Sequence, residues 1–387
     1  MTRALRVGWD ALTSLKLTLL CLFLLMALVI LCTFAQVKLG TRGAVDVWIR
    51  SLLVWWDVPG GTSSIPIFPG GGLVGAVMLV NLIAAQARRM EWTVRKLGLW
   101  IVHAGLIVLF VGEFATSALQ VEMQLAIEQG ETADYVQSPR ELELALIDVT
   151  DAKYEDAYGV PEQLLKRAGL IAVPGTPVSL RVIQFFPNAA LSRRAAGAKA
   201  SPATAGVGPL FAIEPLPTLH GDDEVNRRVV LVEALAGATS SGTFLISNGL
   251  KDSQSFVQAG RTWELSMRPR REYLPYTITL RKFSHDVYAG TDFPRNFSSL
   301  VHLSNPARGD ERDILIYMNQ PLRYQGKTFY QASFGKGDTL SVLQVVGNPG
   351  WLLPYLSCAL VAAGLVVHFT LSLRRSLFRP RRALELA

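Results

Sequence analysis

Four stretches of the chain stay apolar long enough to cross a membrane, at residues 17–37, 70–87, 97–118 and 351–373. About 20 helical residues cover roughly 30 Å of hydrocarbon, so each stretch predicts a transmembrane helix. The first exceeds the roughly 7–15-residue apolar core of a secretory signal and is followed by more spans, which predicts a retained anchor rather than a cleaved peptide. Between the third and fourth stretches the pattern changes to short apolar runs. Residues 142–147, 178–183, 228–232, 277–283 and 340–346 are rich in branched and aromatic side chains and bounded by Gly, Pro, Asn or Asp, the pattern of strands. Their spacing predicts a sandwich or open barrel of antiparallel strands. One helix is expected over 161–168. Residues 192–208 are small and turn-rich with little to bury, and predict a mobile loop, a candidate divider between two sub-sheets.

The expected fold is a membrane protein with four transmembrane α-helices, arranged three plus one around a large extracytoplasmic, mainly-β domain. Its parts are an N-terminal membrane segment at 1–118, the β-rich domain at 119–349, and the fourth helix with a basic tail at 350–387. Composition agrees: 387 residues, half of them hydrophobic, with mean hydropathy +0.28, are too apolar for one soluble globule, yet the chain holds a long polar middle.

Charge sets the orientation. Arg3, Arg6 and Lys16 precede the first span; Arg88, Arg89, Arg95 and Lys96 lie between the second and third; Arg374, Arg375, Arg379, Arg381 and Arg382 follow the fourth. By the positive-inside rule these segments are cytoplasmic, and residues 38–69 and 119–349 are outside. The net charge of +7 is largely this topogenic signal, and no basic-aromatic surface motif points to nucleic acid. Cys21, Cys32 and Cys358 all fall in predicted spans, without a C-x-x-C pair or an outer disulfide framework, so the chain is not itself a thiol oxidoreductase. Cys21 and Cys32, eleven residues apart, share a helix face and read as small packing residues. Residues 47–61 hold Trp48, Trp55 and Trp56 among alternating bulky and polar positions. Such a segment suits a helix or ribbon on the outer membrane surface, where Trp is favoured; a flat platform for a macrocycle is its other use.

The third span carries His103, roughly 10 Å inside the end marked by Arg95 and Lys96 at 1.5 Å per residue. An ionisable side chain at that depth is a functional candidate, and imidazole bound to iron is one such function. A neutral imidazole bonded to a neighbouring helix is the alternative. No catalytic constellation stands out in the β-rich domain. His220, His285 and His302 have no zinc-motif spacing and are expected to be solvated or turn-bonded, and there is no G-x-S-x-G elbow, Walker loop or G-x-G-x-x-G after a strand.

Residues 270–280, 283–299, 316–334 and 348–355 resemble the ResB family of System II cytochrome c maturation proteins, and the order of spans is similar to theirs. The likeness is loose over 190–260. The resemblance implies a multi-pass protein of the bacterial inner membrane with both termini cytoplasmic. It implies a CcsA (ResC)-type membrane partner, the two moving haem b outward and presenting it with apocytochrome c, and thiol-reducing proteins as further partners. It assigns His103 as an axial haem ligand, with the other ligand on the partner; Arg95 and Lys96 are then positioned to meet haem propionates. His368 lies at nearly the depth of His103, as either a second ligand in cis or an interfacial imidazole. Trp55, Trp56 and Asp57 lack the longer pattern of the partner family's tryptophan-rich segment. Catalytic residues are expected on the partner rather than here, and no metal beyond haem iron is expected. A membrane-anchored apocytochrome chaperone that binds no haem is the alternative function, and an unrelated sensor or transporter subunit a third. The topology is directly testable: reporter fusions after Arg89 and Arg382 are expected in the cytoplasm and one after Gly260 outside, and any reversal overturns the four-span arrangement.

Overall fold

The computed structural model describes residues 3–57, 64–89, 91, 93–151, 153–195, 201–219, 221, 224–288, 290 and 294–378. The chain divides into two compact units, one formed chiefly by residues 1–120 and 348–387, the other by 121–219 and 224–347.

The first unit is helical. A short helix α1 (Arg3–Leu12) breaks at Thr13 and Ser14, and the Ser14 hydroxyl caps α2 (Leu15–Val45) by accepting from the Lys16 N–H at 3.2 Å. Inside α2, Gly40 departs from helical geometry at φ 68, a conformation open to glycine. A last turn, Asp46–Arg50, leads into strands β1 (Leu53–Asp57) and β2 (Ser64–Pro69), an antiparallel hairpin. The tryptophan segment thus forms both a helical turn and a ribbon, with Trp55 and Trp56 exposed. Helices α3 (Gly71–Arg89) and α4 (Leu97–Leu119) follow, and α6 (Leu353–Phe378) closes the unit. Among the described residues, four helices are long and apolar enough to cross a membrane, which marks a membrane protein. Cys21 and Cys32 are buried, Cys21 packing with Leu28, Val74 and Met78.

Helices α4 and α6 meet along a seam of glycines. Gly98, Gly105 and Gly112 recur every seven residues, two helical turns, so they share one face. A Cβ at Gly98 would lie 2.5 Å from the His368 backbone nitrogen, and one at Gly105 would lie 2.8 Å from Val361 Cγ2. Gly364 on α6 answers them, its Cβ position 2.7 Å from the Val102 nitrogen. Lipid supplies little hydrophobic drive between helices, so close backbone packing holds such pairs. The Ser357 hydroxyl adds a buried hydrogen bond to the Gly105 carbonyl at 2.8 Å.

The second unit is mainly β. Strands β3 (Val121–Glu128), β4 (Thr132–Asp148) and β5 (Asp156–Pro161) lead to the short helix α5 (Glu162–Leu165). That helix is shorter than the expected 161–168, because Gly169 at φ 146 turns the chain into β6 (Gly169–Ala172). Next come β7 (Ser179–Phe186), β8 (Ala189–Arg193), β9 (Phe211–Pro215), β10 (Val229–Ala236), β11 (Thr239–Ser247) and β12 (Gln254–Gln258). The unit ends with β13 (Arg261–Val287), β14 (Pro294–Asn305), β15 (Asp310–Tyr317), β16 (Leu322–Tyr324), β17 (Lys327–Gly335) and β18 (Leu340–Gly347). All five predicted strand segments coincide with strands, those at 178–183 and 228–232 starting one residue before β7 and β10, and the described pairings are antiparallel.

Among the described residues these strands form a ten-stranded sheet ordered β15-β14-β13-β4-β3-β18-β17-β16, with β5 and β12 pairing off it, a four-stranded sheet β11-β10-β7-β6, and the pair β8-β9. Both expected architectures occur, one at each end of the long strands. Leu144, Leu146, Trp263 and Leu265 pack against Val230, Val232 and Phe244 of the smaller sheet, a sandwich core. Beyond the register breaks after Pro269 in β13 and after Gln137 in β4, Ile278, Val301, Ile316, Phe329 and Leu343 fill the inside of the curled larger sheet. There β15 comes beside β16 and β17. A closed polar ring joins the curl: Ser299 donates to Gln331 Oε1 at 2.6 Å, Gln331 Nε2 donates to Ser341 at 3.2 Å, and the two serine hydroxyls lie 2.7 Å apart. Each buried hydroxyl thereby finds a partner.

Two expectations are corrected. Residues 196–200 of the supposed mobile loop, like His220, lie outside the described residues, but 201–208 do have something to bury: Ala203 is buried, and Thr204 receives the Thr243 N–H at 2.9 Å. His285 is not solvated, because its ring packs 4.4 Å from that of Phe334 and its Nδ1 lies 3.4 Å from Asp338 Oδ2. His302 lies opposite Asp313 on β15, 2.7 Å from its carboxylate. The glycine seam generates the stability prediction. Gly105→Leu forces a branched side chain into a backbone contact and is expected to cost about 1–3 kcal/mol. It should lower the unfolding midpoint of the full chain in detergent, whereas Leu109→Ala, at an exposed position of α4, should leave it nearly unchanged; equal midpoints for both variants and wild type contradict the seam's importance.

Candidate functional site

Helices α2, α3 and α4 line a half-open pocket of about 480 Å3. Its walls are apolar, with Leu22 from α2, Met78 and Leu82 from α3, and Leu106 and Phe110 from α4. The positions 103, 106 and 110 fall on one helix face at the three- and four-residue spacing of adjacent turns. Four polar side chains reach the pocket: Thr18, Asn81, Gln86 and His103.

Two of these four are spent on structure. Asn81, 1% exposed, donates to the carbonyls of Leu12 at 2.5 Å and Ser14 at 3.2 Å, and accepts from the Thr18 hydroxyl at 2.6 Å. It ties the break between α1 and α2 to α3. Arg88 strengthens the same corner, bonding the Thr13 hydroxyl at 2.7 Å and pairing with Asp10. The backbone groups freed where α1 stops are thereby satisfied, as an apolar surrounding requires.

His103 is arranged differently. Its Nδ1 lies 2.7 Å from the Leu99 carbonyl oxygen one turn back. A carbonyl only accepts, so this bond assigns the proton to Nδ1 and leaves Nε2 with its lone pair. Nε2 has no hydrogen bond among the described residues. This is the tautomer in which an imidazole ligates a metal through one nitrogen while the other is held by a carbonyl. The expected alternative, a neutral imidazole bonded to a neighbouring helix, is not what the ring does, since its bond stays within α4.

The other residues expected at the site are placed elsewhere. His368 sits on α6, whose backbone packs on the glycine face of α4, with Nδ1 buried and without a partner. Position 103 is two residues from Gly105, about 160° around the helix at 100° per residue. The two histidines therefore belong to opposite faces of α4, and the pairing in cis is not assembled; the glycine seam decides this. Arg95 is exposed and Lys96 pairs with Glu91 at 3.2 Å, and neither lines the pocket. The sequence reasoning missed Asn81 and Gln86. The available signal was two carboxamides in a span otherwise made of apolar and small residues. The β unit presents no group of three or more metal-ligating side chains among the described residues.

The chain has relatives. Residues 229–342 match the model of the ResB-like family. That region runs from β10 into β18 and contains the stretches 270–280, 283–299 and 316–334, together with Ser299, Gln331 and Ser341 of the polar ring. Protein NrfI of Wolinella succinogenes is 23% identical over 364 residues, which cover 92% of this chain and 34% of NrfI. The chain thus spans about a third of the length of the curated relative it matches.

Proposed function

This chain is ResB-like over residues 229–342, and from that premise we propose that it serves in cytochrome c biogenesis, carrying haem b within the membrane and presenting it, with apocytochrome c, for covalent attachment. The observation that carries the proposal is the pocket of α2, α3 and α4, where one imidazole nitrogen is fixed by the Leu99 carbonyl and the other is open among apolar walls. A haem macrocycle is a broad apolar body with one Lewis-acid centre, and the residues present suit it: leucines, Met78 and Phe110 for the ring, His103 Nε2 for the iron. Haem is cargo here, and the role of this chain is to bind and orient it.

The remaining parts of the proposal rest on the family likeness and on the distribution of basic residues around the spans. Among the described residues no second imidazole faces the pocket, so the opposite axial ligand belongs to a CcsA-type partner subunit, and the covalent chemistry with it. Both termini are cytoplasmic and the β unit is extracytoplasmic, in the bacterial inner membrane. There the β unit, which has no cysteine among residues 121–347, presents the acceptor polypeptide while separate thiol-reducing proteins keep its cysteines reduced.

The test is a set of substitutions in the full complex. His103→Ala is expected to abolish cytochrome c maturation and to cut copurifying haem beyond the roughly 10–100-fold cost of losing a mere supporting group around a metal ligand, with protein level unchanged. His103→Gly with added imidazole is expected to regain part of both. His368→Ala is expected to retain haem. Wild-type haem content and maturation in His103→Gln removes the ligand assignment, because a hydrogen-bonding role in a membrane is worth only about 0.6–2 kcal/mol and an amide can supply it.

A further inference from the structure

The second open polar group of the pocket is Gln86. It lies on α3, is only 9% exposed, and forms no hydrogen bond among the described residues, although it lines the same pocket as His103. Although the residue as a whole is buried, its amide nitrogen and oxygen are not sealed off, so the carboxamide is available to a group that enters the pocket. Thr18 and Asn81 satisfy each other and the chain break at Thr13. The pocket therefore offers a ligand two free polar groups, the His103 Nε2 lone pair and the Gln86 carboxamide, in walls that are otherwise apolar.

Their positions along the helices differ. Helices α3 and α4 are consecutive, and Gln86 lies three residues before the last residue of α3 while His103 lies six after the first residue of α4. At 1.5 Å per residue, Gln86 is about 4.5 Å and His103 about 9 Å from the ends that the short α3–α4 connection joins. Of the charged side chains near that connection, Arg88 is engaged by Asp10 and Thr13 and Lys96 by Glu91, while Arg95 is exposed and does not line the pocket. Among the described residues no cation lines the pocket, so a ligand held at its centre by His103 meets on that side the neutral Gln86 amide.

We propose that Gln86 is the polar anchor of the pocket, its Nε2 donating to a carboxylate at the edge of the macrocycle that His103 holds by its iron. The assignment rests on the haem proposal above and deepens it. It replaces Arg95 and Lys96 as the propionate contact. It also explains why an amide suffices: a carboxylate entering this pocket from the α3–α4 end stays near the polar margin of the membrane, where full neutralisation by a cation is not required.

The test uses the purified full chain in detergent, freed of haem and titrated by absorption with haem and with haem dimethyl ester, whose carboxylates are blocked. Gln86→Leu is expected to weaken binding of haem about tenfold, the worth of a hydrogen bond to a charged acceptor, and to weaken the ester distinctly less, because its neutral carbonyl accepts a weaker bond. Gln86→Glu should weaken haem further by placing like charges together, while the uncharged ester loses no more than in Gln86→Leu. Leu at 86 removes an unpartnered buried amide, so the helices should pack at least as well, and Gln86→Glu gives an independent readout. Equal losses for haem and ester, or no loss for either in both variants, while His103→Ala weakens both ligands, overturns the role of Gln86 and leaves the His103 proposal standing. Unchanged binding of both ligands by His103→Ala instead takes down the haem proposal itself. An acyl chain as the occupant would show as retained lipid in the purified chain that haem does not displace, which also overturns the assignment.

Discussion

In hydrocarbon a polar group without a partner costs several kcal/mol, and the helical unit is arranged around that constraint. Few polar side chains enter the spans. Asn81 is consumed by the carbonyls freed where α1 ends and by Thr18, and Ser357 bonds across the α4–α6 seam. What is left unpaired is correspondingly informative. The Nδ1 of His103 is answered within its own helix, both Nε2 of His103 and the Gln86 amide are left facing one apolar pocket, and Nδ1 of His368 is buried without a hydrogen bond outside it.

The seam and the pocket depend on each other. With glycines every seven residues on one face of α4, α6 approaches so closely that the opposite face alone has room for a ligand. That division of labour separates His103 from His368, and the expected equal depth is also not what the seam gives: His368 is level with Gly98, five residues or about 7.5 Å from His103 along α4. A span scored only by its hydropathy reports how deep a residue lies; which face it occupies is set by the small residues that admit a neighbouring helix.

Much of this was legible in the sequence for identifiable reasons. The long apolar runs could only be spans, and the strand segments around Leu144, Leu180, Leu231, Ile278 and Leu343 alternate or cluster as strands do. His103 was legible because a titratable group in an apolar run needs a use. What was not legible depended on contacts between distant segments. The bend of β13 near Pro269, which lets one strand serve a sandwich core and a curled-sheet core, requires the matching break in β4. The packing of Ala203 requires β11 to pass beneath it, and the partial burial of His285 requires Phe334 and Asp338 from about fifty residues downstream. Gln86 was passed over because a glutamine close to the end of a span ordinarily reaches for water, and its burial appears only when α2 and α4 close over it.

The central claim is that a macrocycle lies against His103 between α2, α3 and α4. It is tested most directly by a density map of the full complex carrying its haem. The account predicts flat density for the ring in that pocket, with iron bonded to Nε2 of His103 and a side chain from the partner on the other axial side. Ring density elsewhere, with acyl-chain density or closed helix packing in this pocket and Nε2 of His103 free of iron, contradicts it.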